Sequence, residues 1–318
     1  MSVYLPEISV IIPTYKRVAE LDRCLAAIDR QSLKPVEVLI TYQMQDEETR
    51  AYLMREDRPV PGARLLVCEK PGVVYALTLA FDAVRSQFFA ITDDDSIPHS
   101  DWLERIAAHF EADPQVAAVG GKDHICADGK WLEGAKPVVG KVLWYGRTIG
   151  NHHLGVGPPR YVQTLKGVNM AFRRAALGGL SPDPRLRAKG VQMGWEMHLT
   201  LTLVARGYKL IYDPAMLVEH IPGQRRAEEN RAEFNPASHG DECFNRNLIV
   251  LEYLRTQRLG RARQAAFLAY IWLRGTRRTP GLLLLTVGLM TGYPDAWARF
   301  KATAAASWDA WKAAGRLS

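Results

Sequence analysis

The sequence contains no hydrophobic run long enough to cross a bilayer. The uncharged stretch from Gly281 to Tyr293 has 13 residues, whereas a membrane-spanning helix needs ~20 apolar residues. The first apolar run, from Ile8 to Ile12, is too short for the hydrophobic part of a secretory signal. We therefore expect a protein that stays in the cytoplasm and does not span the membrane.

Cysteine is scarce, and its spacing argues against a zinc site. The four cysteines are Cys24, Cys68, Cys126 and Cys243, and no two of them have CxxC spacing. Cys24 falls in an apolar helical pattern, and Cys68 ends an apolar run. Both are expected to behave as small buried hydrophobic residues in a reducing compartment.

Acidic residues are absent from Tyr253 to Pro294, and the whole chain has a formal net charge of +7. A basic segment of this kind can bind nucleic acid or an anionic membrane. The same segment holds seven arginines, which are Arg255, Arg258, Arg261, Arg263, Arg274, Arg277 and Arg278.

Aromatic residues favour the membrane as the partner of this segment. Two short apolar pieces, Ala265 to Leu273 and Gly281 to Tyr293, flank a basic turn, which is typical of helices that lie in a membrane interface. We expect residues 241–318 to form a helical, membrane-associated region at the inner face of the cell membrane, and we expect no nucleic-acid partner. The side chains that favour the interface are Trp272, Tyr293, Trp297, Trp308 and Trp311.

Residues 1–240 alternate between strand and helix patterns. With 47% hydrophobic and 24% charged residues, the composition is that of a globular protein. The alternation predicts an α/β fold in which a mostly parallel sheet is covered by helices on both faces. Helices are predicted at Glu47–Glu56 and Glu196–Arg206, and extended segments at Ile8–Ile12, Val36–Tyr42, Arg64–Val67, Phe88–Thr92, Val116–Val119, Gly167–Phe172, Lys209–Tyr212 and Met216–His220.

Three adjacent carboxylates, Asp93, Asp94 and Asp95, directly follow the apolar strand Phe88–Thr92. In an open α/β sheet, ligands bind beyond the carboxyl ends of the strands. Three neighbouring carboxylates are costly to ionise together without a cation, and their oxygens suit Mg²⁺ or Mn²⁺. A solvated acidic loop that caps the next helix is the alternative interpretation.

Five segments follow one another in a recognisable order. They are Ile8 to Arg17, Phe89 to Pro98 with Asp101-Trp102-Leu103, Gly167 to Arg173, Gly194 to Tyr208, and Asp213 to His220. Over roughly residues 7 to 222, this set resembles the family-2 glycosyltransferases, which have the GT-A fold. The resemblance implies transfer of a sugar from a nucleotide-sugar donor to an acceptor.

The resemblance also implies a divalent metal ion, Mn²⁺ or Mg²⁺. Asp93 and Asp95 would hold the ion on the donor diphosphate, and His220 would be a third ligand through a neutral imidazole nitrogen. Asp94 would contact the donor ribose or the ion. The ion would offset negative charge on the leaving nucleoside diphosphate. A structural histidine at a strand end is the alternative for His220.

Glu196 is the predicted general base. An inverting transfer needs a carboxylate that takes the proton from the acceptor hydroxyl, and the resemblance places Glu196 at that point. The family usually has Glu-Asp here, whereas this chain has Trp195-Glu196. Trp195 and Asn169 are predicted to contact the acceptor, and simple packing is the alternative for Trp195.

The donor side departs further from the family pattern. Asp46 stands close to the position of an aspartate that reads the base, but a helix N-cap explains it equally well. The sequence therefore does not determine the nucleotide base of the donor, and UDP is taken as the default nucleotide. The predicted donor-binding residues are Pro13, Thr14, Tyr15, Arg17, Asp46, Gly72 and Asp94.

Two loops carry weaker signals. His152-His153 lies in a loop rich in Gly and Pro, which is interpreted as a flexible loop over the active site rather than a second metal site. Arg225-Arg226 follows His220 closely. This pair either grips the donor diphosphate or belongs to a solvated basic loop.

The leading prediction is an inverting, non-processive glycosyltransferase that acts on a saccharide or lipid-linked acceptor in surface polysaccharide synthesis. A nucleotidyltransferase is one alternative, but Pro13 to Val18 lacks the expected glycines. A non-catalytic module that binds a membrane or nucleic acid is another, and the acidic run together with Glu196 argues against it. The oligomeric state is not indicated.

Overall fold

The structure, a computed structural model, describes residues 6–188, 192–222 and 234–315. The predicted Arg225-Arg226 site lies outside the described residues. The described helices are α1 (Val18–Asp29), α2 (Glu47–Leu53), α3 (Val73–Ala83), α4 (Trp102–Ala112), α5 (Arg174–Leu177), α6 (Trp195–Ala205), α7 (Pro236–Thr256), α8 (Gly260–Leu273), α9 (Leu282–Met290) and α10 (Ala296–Gly315).

Most strands belong to one sheet, whose path runs β10-β12-β6-β11-β4-β1-β2-β3. The described strands are β1 (Ile8–Pro13), β2 (Glu37–Gln43), β3 (Arg64–Cys68), β4 (Phe88–Ile91), β5 (Ser96–Pro98), β6 (Val116–Ala127), β7 (Lys130–Trp131), β8 (Lys141–Val142), β9 (Thr148–Ile149), β10 (Arg160–Val162), β11 (Met170–Arg173) and β12 (Lys209–His220).

The sheet is mostly parallel, as predicted. Strands β3, β2, β1 and β4 run parallel to one another, and so do β6 and β12. Strand β11 lies antiparallel between β4 and β6 and joins the two parallel parts. The carboxyl ends of β1, β2 and β4 therefore meet at one edge, which is where an α/β sheet binds ligands.

Strand β1 shows why helices cover both faces. Its side chains alternate between two hydrophobic clusters, because successive residues of a strand point to opposite faces. Val10 and Ile12 pack in the cluster that contains α1 and α4. Ile11 packs in the cluster that contains α3, α6 and α7. A strand buried on both faces reads as a continuous apolar run, which is the pattern seen at β1.

Four predicted boundaries differ clearly from the structure. In the predicted extended segment Gly167–Phe172, residues Gly167–Asn169 form a 3-10 turn, and the strand β11 begins only at Met170. Strand β6 continues to Ala127 instead of ending at Val119, and the two segments predicted around Asp213 form one strand, β12, with an irregular register. The extra length arises because Leu217–His220 pairs with Lys122–Ile125, a long-range effect that local hydrophobicity does not reveal. Helix α2 ends at Leu53 rather than Glu56.

The C-terminal helices pack against the α/β part of the chain. Residues of α7, α8 and α10 belong to the same hydrophobic cluster as α3 and α6. The Arg187 guanidinium lies 3.5 Å from the centre of the Phe244 ring on α7, and Arg185 bridges Asp183 and Glu252. In the described part of the chain, no helix combines the length and the apolar composition that crossing a membrane requires.

Gly121 provides a test of the irregular β6–β12 contact. A Cβ atom at this position would lie 1.8 Å from the carbonyl oxygen of Met216. Because backbone cannot move aside cheaply, we expect Gly121→Ala to lower the free energy of unfolding by about 3 kcal/mol. Urea unfolding measures this loss. Gly62→Ala is the control, since nothing lies within 4 Å of its Cβ position, and an equal loss in both variants would contradict the packing argument.

Candidate active site

A cleft of about 420 Å³ opens where β1, β2 and β4 end. It collects residues that are far apart in the sequence, from the first strand to the end of β12. The predicted site residues that line it are Pro13, Thr14, Tyr15, Arg17, Gly72, Asp93, Asp94, Asp95, Trp195, Glu196 and His220.

Asp93, Asp95 and His220 converge at the base of this cleft. One ligand atom from each residue lies within 4.8 Å of the others, and His220 Nε2 is 3.3 Å from Asp95 Oδ1. The sheet register explains the meeting, because His220 on β12 pairs with Ser96 on β5, the residue directly after Asp95.

Asp94 is held by the end of β1. The Thr14 hydroxyl donates a hydrogen bond to Asp94 Oδ2 at 2.8 Å, and Arg17 Nη1 donates to Asp94 Oδ1 at 3.2 Å. Arg17 Nη1 also lies 3.0 Å from Asp95 Oδ2. The strand-end segment predicted to bind the donor therefore fixes two of the three aspartates.

The protein surroundings oppose full ionisation of this acidic run. Burial, followed by the charge of Asp95, raises the pKa of Asp93 to about 6. Burial also raises the pKa of Asp94 to about 7, although Arg17 acts against the shift. For His220, burial lowers the pKa, but the hydrogen bond that its imidazole donates to Asp95 and the charges of Asp95 and Asp93 outweigh this effect, and the pKa is raised.

The donor set fits a divalent metal ion. Two carboxylates and one imidazole are suitable ligands for Mn²⁺, and a site with few protein ligands leaves room for phosphate oxygens. The Nδ1 atom of His220 is buried and has no hydrogen-bond partner among the described residues. A cation near Asp93 and Asp95 would supply the compensating charge that the cluster lacks.

Glu196 enters the cleft from the first turn of α6. Gly194 precedes this helix with φ of 99°, a left-handed conformation that favours glycine. The Glu196 side chain is half-buried, and burial is the main cause that raises its pKa. A carboxylate with a raised pKa is a stronger base than an exposed glutamate.

Trp195 is chiefly a packing residue with one edge on the cleft. It is 6% exposed and belongs to the core that contains α6 and α7. A Cβ atom on Gly167 would lie 2.4 Å from Trp195 Cζ2, so the indole occupies the space that this glycine leaves. Its position favours the packing interpretation, although the exposed edge still lines the cleft.

Asn169 is not among the residues that line the cleft, and its geometry disfavours the predicted contact with the acceptor. Its side chain is fully buried. Oδ1 accepts a hydrogen bond from Trp102 Nε1 at 2.9 Å, and Nδ2 donates to the carbonyl oxygens of Lys122 and Met216. Asn169 therefore ties α4 to the β6–β12 junction, because all its polar atoms have partners inside the protein.

Asp46 takes the N-cap position of α2, which is the alternative offered for it above. Its carboxylate accepts hydrogen bonds from the Thr49 backbone N–H and hydroxyl and from the Lys16 backbone N–H. The side chain is 1% exposed. This geometry disfavours the predicted contact with the donor base, since both oxygens already bind protein groups.

Two features of position 72 favour glycine, namely its backbone conformation and the close approach of Gln192. Its φ is 118°, and a Cβ atom would lie 2.7 Å from Gln192 Oε1. The same Oε1 accepts a hydrogen bond from the Val74 backbone N–H at 3.1 Å. Gln192, which the sequence did not indicate, thus fixes the loop that begins α3 at the cleft wall.

The structure disfavours the prediction of a flexible loop over the active site at His152-His153. These residues lie in a short 3-10 turn. His152 is 7% exposed, its Nε2 atom is 2.9 Å from the carbonyl oxygen of Thr164, and its backbone carbonyl accepts a hydrogen bond from Tyr212. Burial lowers the pKa of His152, and its two hydrogen bonds within the protein give this residue a structural role.

Lys166 is a cleft residue that sequence reasoning missed. It lines the cleft together with Asp93, Glu196 and His220, and it forms an ion pair with the buried Asp123. A charged residue directly before the Gly167 segment was the available signal. It carried little weight, because single lysines are usually solvated surface residues.

The sheet topology and the acidic cleft are those of the GT-A glycosyltransferases. Residues 6–234 match the family described as "Glycosyltransferase like family 2". The match spans more than half of the chain, and the protein belongs to this family. It is a glycosyltransferase, as predicted, and this assignment decides against the nucleotidyltransferase and non-catalytic alternatives.

Relatives with known names agree with the assignment. The "Glucosyl-dolichyl phosphate glucuronosyltransferase" of Haloferax volcanii is 26% identical over 231 residues, which cover 70% of this chain and 71% of that protein. The S. aureus TarS structure (residues 1–349, with UDP-GlcNAc) has a TM-score of 0.61 at 13% identity and is similar over 93% of this chain and 79% of that one. The mannosyltransferase PcManGT from Pyrobaculum calidifontis (with GDP-Man and Mn²⁺) has a TM-score of 0.53 at 18% identity, over 96% of this chain and 88% of that one.

The buried role of Asn169 predicts a loss of stability. In Asn169→Ala, the Trp102 N–H and two carbonyl groups lose their partner, and we expect the free energy of unfolding to fall by roughly 2–4 kcal/mol. Chemical denaturation measures this change. Trp102→Phe, which removes one donor, should cost less. An unchanged stability with a raised acceptor KM would instead restore the acceptor-binding role.

Proposed function

We propose that this protein is an inverting, non-processive, metal-dependent glycosyltransferase that transfers a sugar from a nucleotide-sugar donor to a saccharide or lipid-linked acceptor. The observation that carries the proposal is the convergence of a three-residue ligand set and one separate carboxylate, Glu196, in a single cleft. UDP is the proposed nucleotide, and a role in exopolysaccharide or surface glycan synthesis is part of the proposal.

Glu196 is the proposed general base. Its carboxylate accepts the proton of the acceptor hydroxyl while that oxygen forms a bond to the anomeric carbon of the donor sugar. The bond between the anomeric carbon and the diphosphate oxygen breaks, and the electron pair leaves with the diphosphate. Attack from the side opposite the leaving group inverts the anomeric configuration. The half-buried position of Glu196 supports this role, since burial makes it a better proton acceptor.

Asp93, Asp95 and His220 are the proposed metal ligands. A bound Mn²⁺ or Mg²⁺ would offset the charge that develops on the leaving diphosphate. Asp94 is then left to position the donor with Thr14 and Arg17, with which it already forms hydrogen bonds. The Mn²⁺ named with PcManGT is consistent with this assignment.

The acceptor is proposed to lie at an anionic membrane. Helix α9 exposes a cluster of large apolar side chains, among them Leu283 and Met290, the latter 86% exposed. Three exposed arginines, Arg274, Arg277 and Arg278, precede it. Apolar side chains next to clustered positive charge suit the surface of an anionic bilayer. The relative named for a dolichyl phosphate substrate supports a lipid-linked acceptor.

This arrangement supports the remaining parts of the proposal. Residues 1–240 form the catalytic domain, and residues 241–318 form a helical region that attaches to the inner face of the cell membrane from the cytoplasm. The exposed tryptophans Trp272, Trp297, Trp308 and Trp311 lie in this second region, which fits the preference of indole rings for membrane interfaces.

Glu196→Gln tests the general base. We expect kcat to fall by roughly 10²- to 10⁴-fold, because the amide cannot accept the proton. Donor affinity should stay unchanged. Glu48→Gln, on the exposed surface of α2, is the matched control. A variant that keeps more than half of the wild-type kcat would remove Glu196 from the mechanism.

The raised pKa of Glu196 predicts the pH dependence and the stability of the same variant. The acid limb of the kcat profile should lie above the ordinary glutamate pKa of about 4.3 and disappear in Glu196→Gln. Burial disfavours the ionised carboxylate, so it costs stability above its raised pKa and costs none below the ordinary value. Glu196→Gln should therefore unfold no more easily than the wild type at pH 7, which separates a catalytic loss from misfolding.

Asp95→Asn tests the metal site. Calorimetric titration of the wild type with UDP or GDP should show binding that requires Mn²⁺ or Mg²⁺, because the ion links the carboxylates to the phosphates. The variant should lose at least tenfold in this affinity. Asp101→Asn, at a half-buried position before α4, is the control. Equal nucleotide binding with and without metal would reject the metal-dependent mechanism.

The membrane proposal is tested with vesicles. Phosphatidylcholine vesicles with added phosphatidylglycerol should bind the wild type, and Leu283→Ser with Met290→Ser should weaken binding by tenfold or more, given about 1.5–3 kcal/mol for each buried apolar side chain. Met44→Ser with Met54→Ser removes comparable exposed apolar area elsewhere and serves as the control. Equal loss in the control, or equal binding to uncharged vesicles, would contradict the proposed surface.

A further inference from the structure

Lys166 and Asp123 form an ion pair in the wall of the cleft that the mechanism above does not use. Lys166 Nζ donates a hydrogen bond to Asp123 Oδ2. The lysine side chain is 35% exposed and the aspartate side chain is fully buried. The cationic end of the pair therefore borders the cleft, while its partner lies inside the protein.

The buried half of this pair is unfavourable for stability by itself. Asp123 Oδ1 is also buried and has no hydrogen-bond partner among the described residues. A buried carboxylate loses its hydration, and one ion pair rarely compensates this loss in full. In return, Asp123 holds the Lys166 ammonium group in a fixed position at the cleft wall.

Lys166 has the free donors that an anionic ligand needs. An ammonium group has three protons, and Asp123 is its only hydrogen-bond partner among the described residues. Arg17, the other lysine or arginine that lines the described cleft, already contacts Asp94 and Asp95. The Lys166 ammonium group therefore has hydrogen-bond donors available for a ligand in the cleft.

Lys166 borders the part of the cleft that holds the proposed base and the proposed metal ligands. It borders the same space as Asp93, Glu196 and His220, and its charge lowers the pKa of Glu196 and of Asp93 against the raising effect of burial. Because Lys166 shares this space with the proposed base and the proposed metal ligands, it stands near the reacting part of the donor. The donor carries anionic oxygens there.

We propose that Lys166, positioned by Asp123, binds an anionic oxygen group of the donor. This group is either the terminal phosphate of the nucleoside diphosphate or a carboxylate on the transferred sugar. The inference rests on the proposed function, since it assumes that a nucleotide sugar occupies the cleft. Asp123 is a positioning residue, because among the described residues its carboxylate forms a hydrogen bond with Lys166 alone and it does not line the cleft.

Calorimetry with Mn²⁺ tests the proposal on the full chain. The ligands are the nucleoside diphosphate and monophosphate that the wild type prefers (UDP and UMP, or GDP and GMP), UDP-glucose and UDP-glucuronate. Lys166→Met should weaken the affected ligands by roughly 10- to 100-fold, the usual size of one hydrogen bond to a charged group. Lys141→Met, exposed on β8, should change nothing.

The ligand series distinguishes the two sources of the anion. Contact with the terminal phosphate weakens the diphosphate and both sugar nucleotides alike and spares the monophosphate. Contact with the sugar carboxylate weakens UDP-glucuronate alone. Losses below twofold for every ligand, or an equal loss for the monophosphate, overturn the proposal.

Further variants guard against misfolding. Lys166→Met leaves the buried Asp123 carboxylate without a partner, which could destabilise the fold. The double variant Lys166→Met with Asp123→Asn removes both charges and so avoids this problem. It should bind the nucleotides as weakly as Lys166→Met alone. Asp123→Asn alone should give a smaller loss with the same ligand pattern, and Lys166→Arg should restore part of the affinity. A wild type that binds no nucleoside diphosphate overturns the proposed function as well, whereas normal binding by the wild type and by Lys166→Met refutes only the role of Lys166.

Discussion

The concentration of carboxylates at the end of β4 is the constraint on which the rest of the site depends. Asp93, Asp94 and Asp95 follow a fully buried strand, so they cannot move apart into solvent. Hydrogen bonds from Thr14 and Arg17 and the contact with His220 compensate part of their charge. Burial, more than the neighbouring charges, still raises the pKa of Asp93 and of Asp94, so their ionised forms remain costly. A site with unbalanced negative charge of this kind is prepared for a cation, and through it for the phosphates of a donor.

The antiparallel strand β11 determines how the two sides of the cleft meet. It lies between β4, which carries the aspartates, and β6, which pairs with β12 and so brings His220 back to them. The fully buried Asn169, just before β11, fastens this junction to α4. The donor side and the proposed base therefore stand on packed elements rather than on free loops, as a geometry held for catalysis requires.

Charge is distributed in opposite ways at the cleft and at the surface proposed to bind a membrane. The cleft gathers carboxylates, of which only some have cationic partners, whereas the segment from Tyr253 to Pro294 has no acidic residue at all. The same residue types thus serve two purposes. Acidic residues confined inside a cleft bind cations, and arginines on an exposed, partly apolar helical surface favour an anionic bilayer. The helix α7 joins both surfaces through one hydrophobic cluster.

The sequence by itself determined the fold class, the family and the local order of its motifs, because strand and helix periodicity, the aspartate run and the Trp195-Glu196 pair are local patterns. Most strand positions near β1 to β4 followed from the same patterns. The tertiary structure alone decided which polar residues face the cleft. Asn169 and Asp46 proved to be buried and bonded within the protein, while Lys166 came to border the cleft. The physical reason is that burial and hydrogen-bond partners depend on strands paired across long sequence distances, and no local pattern contains that information.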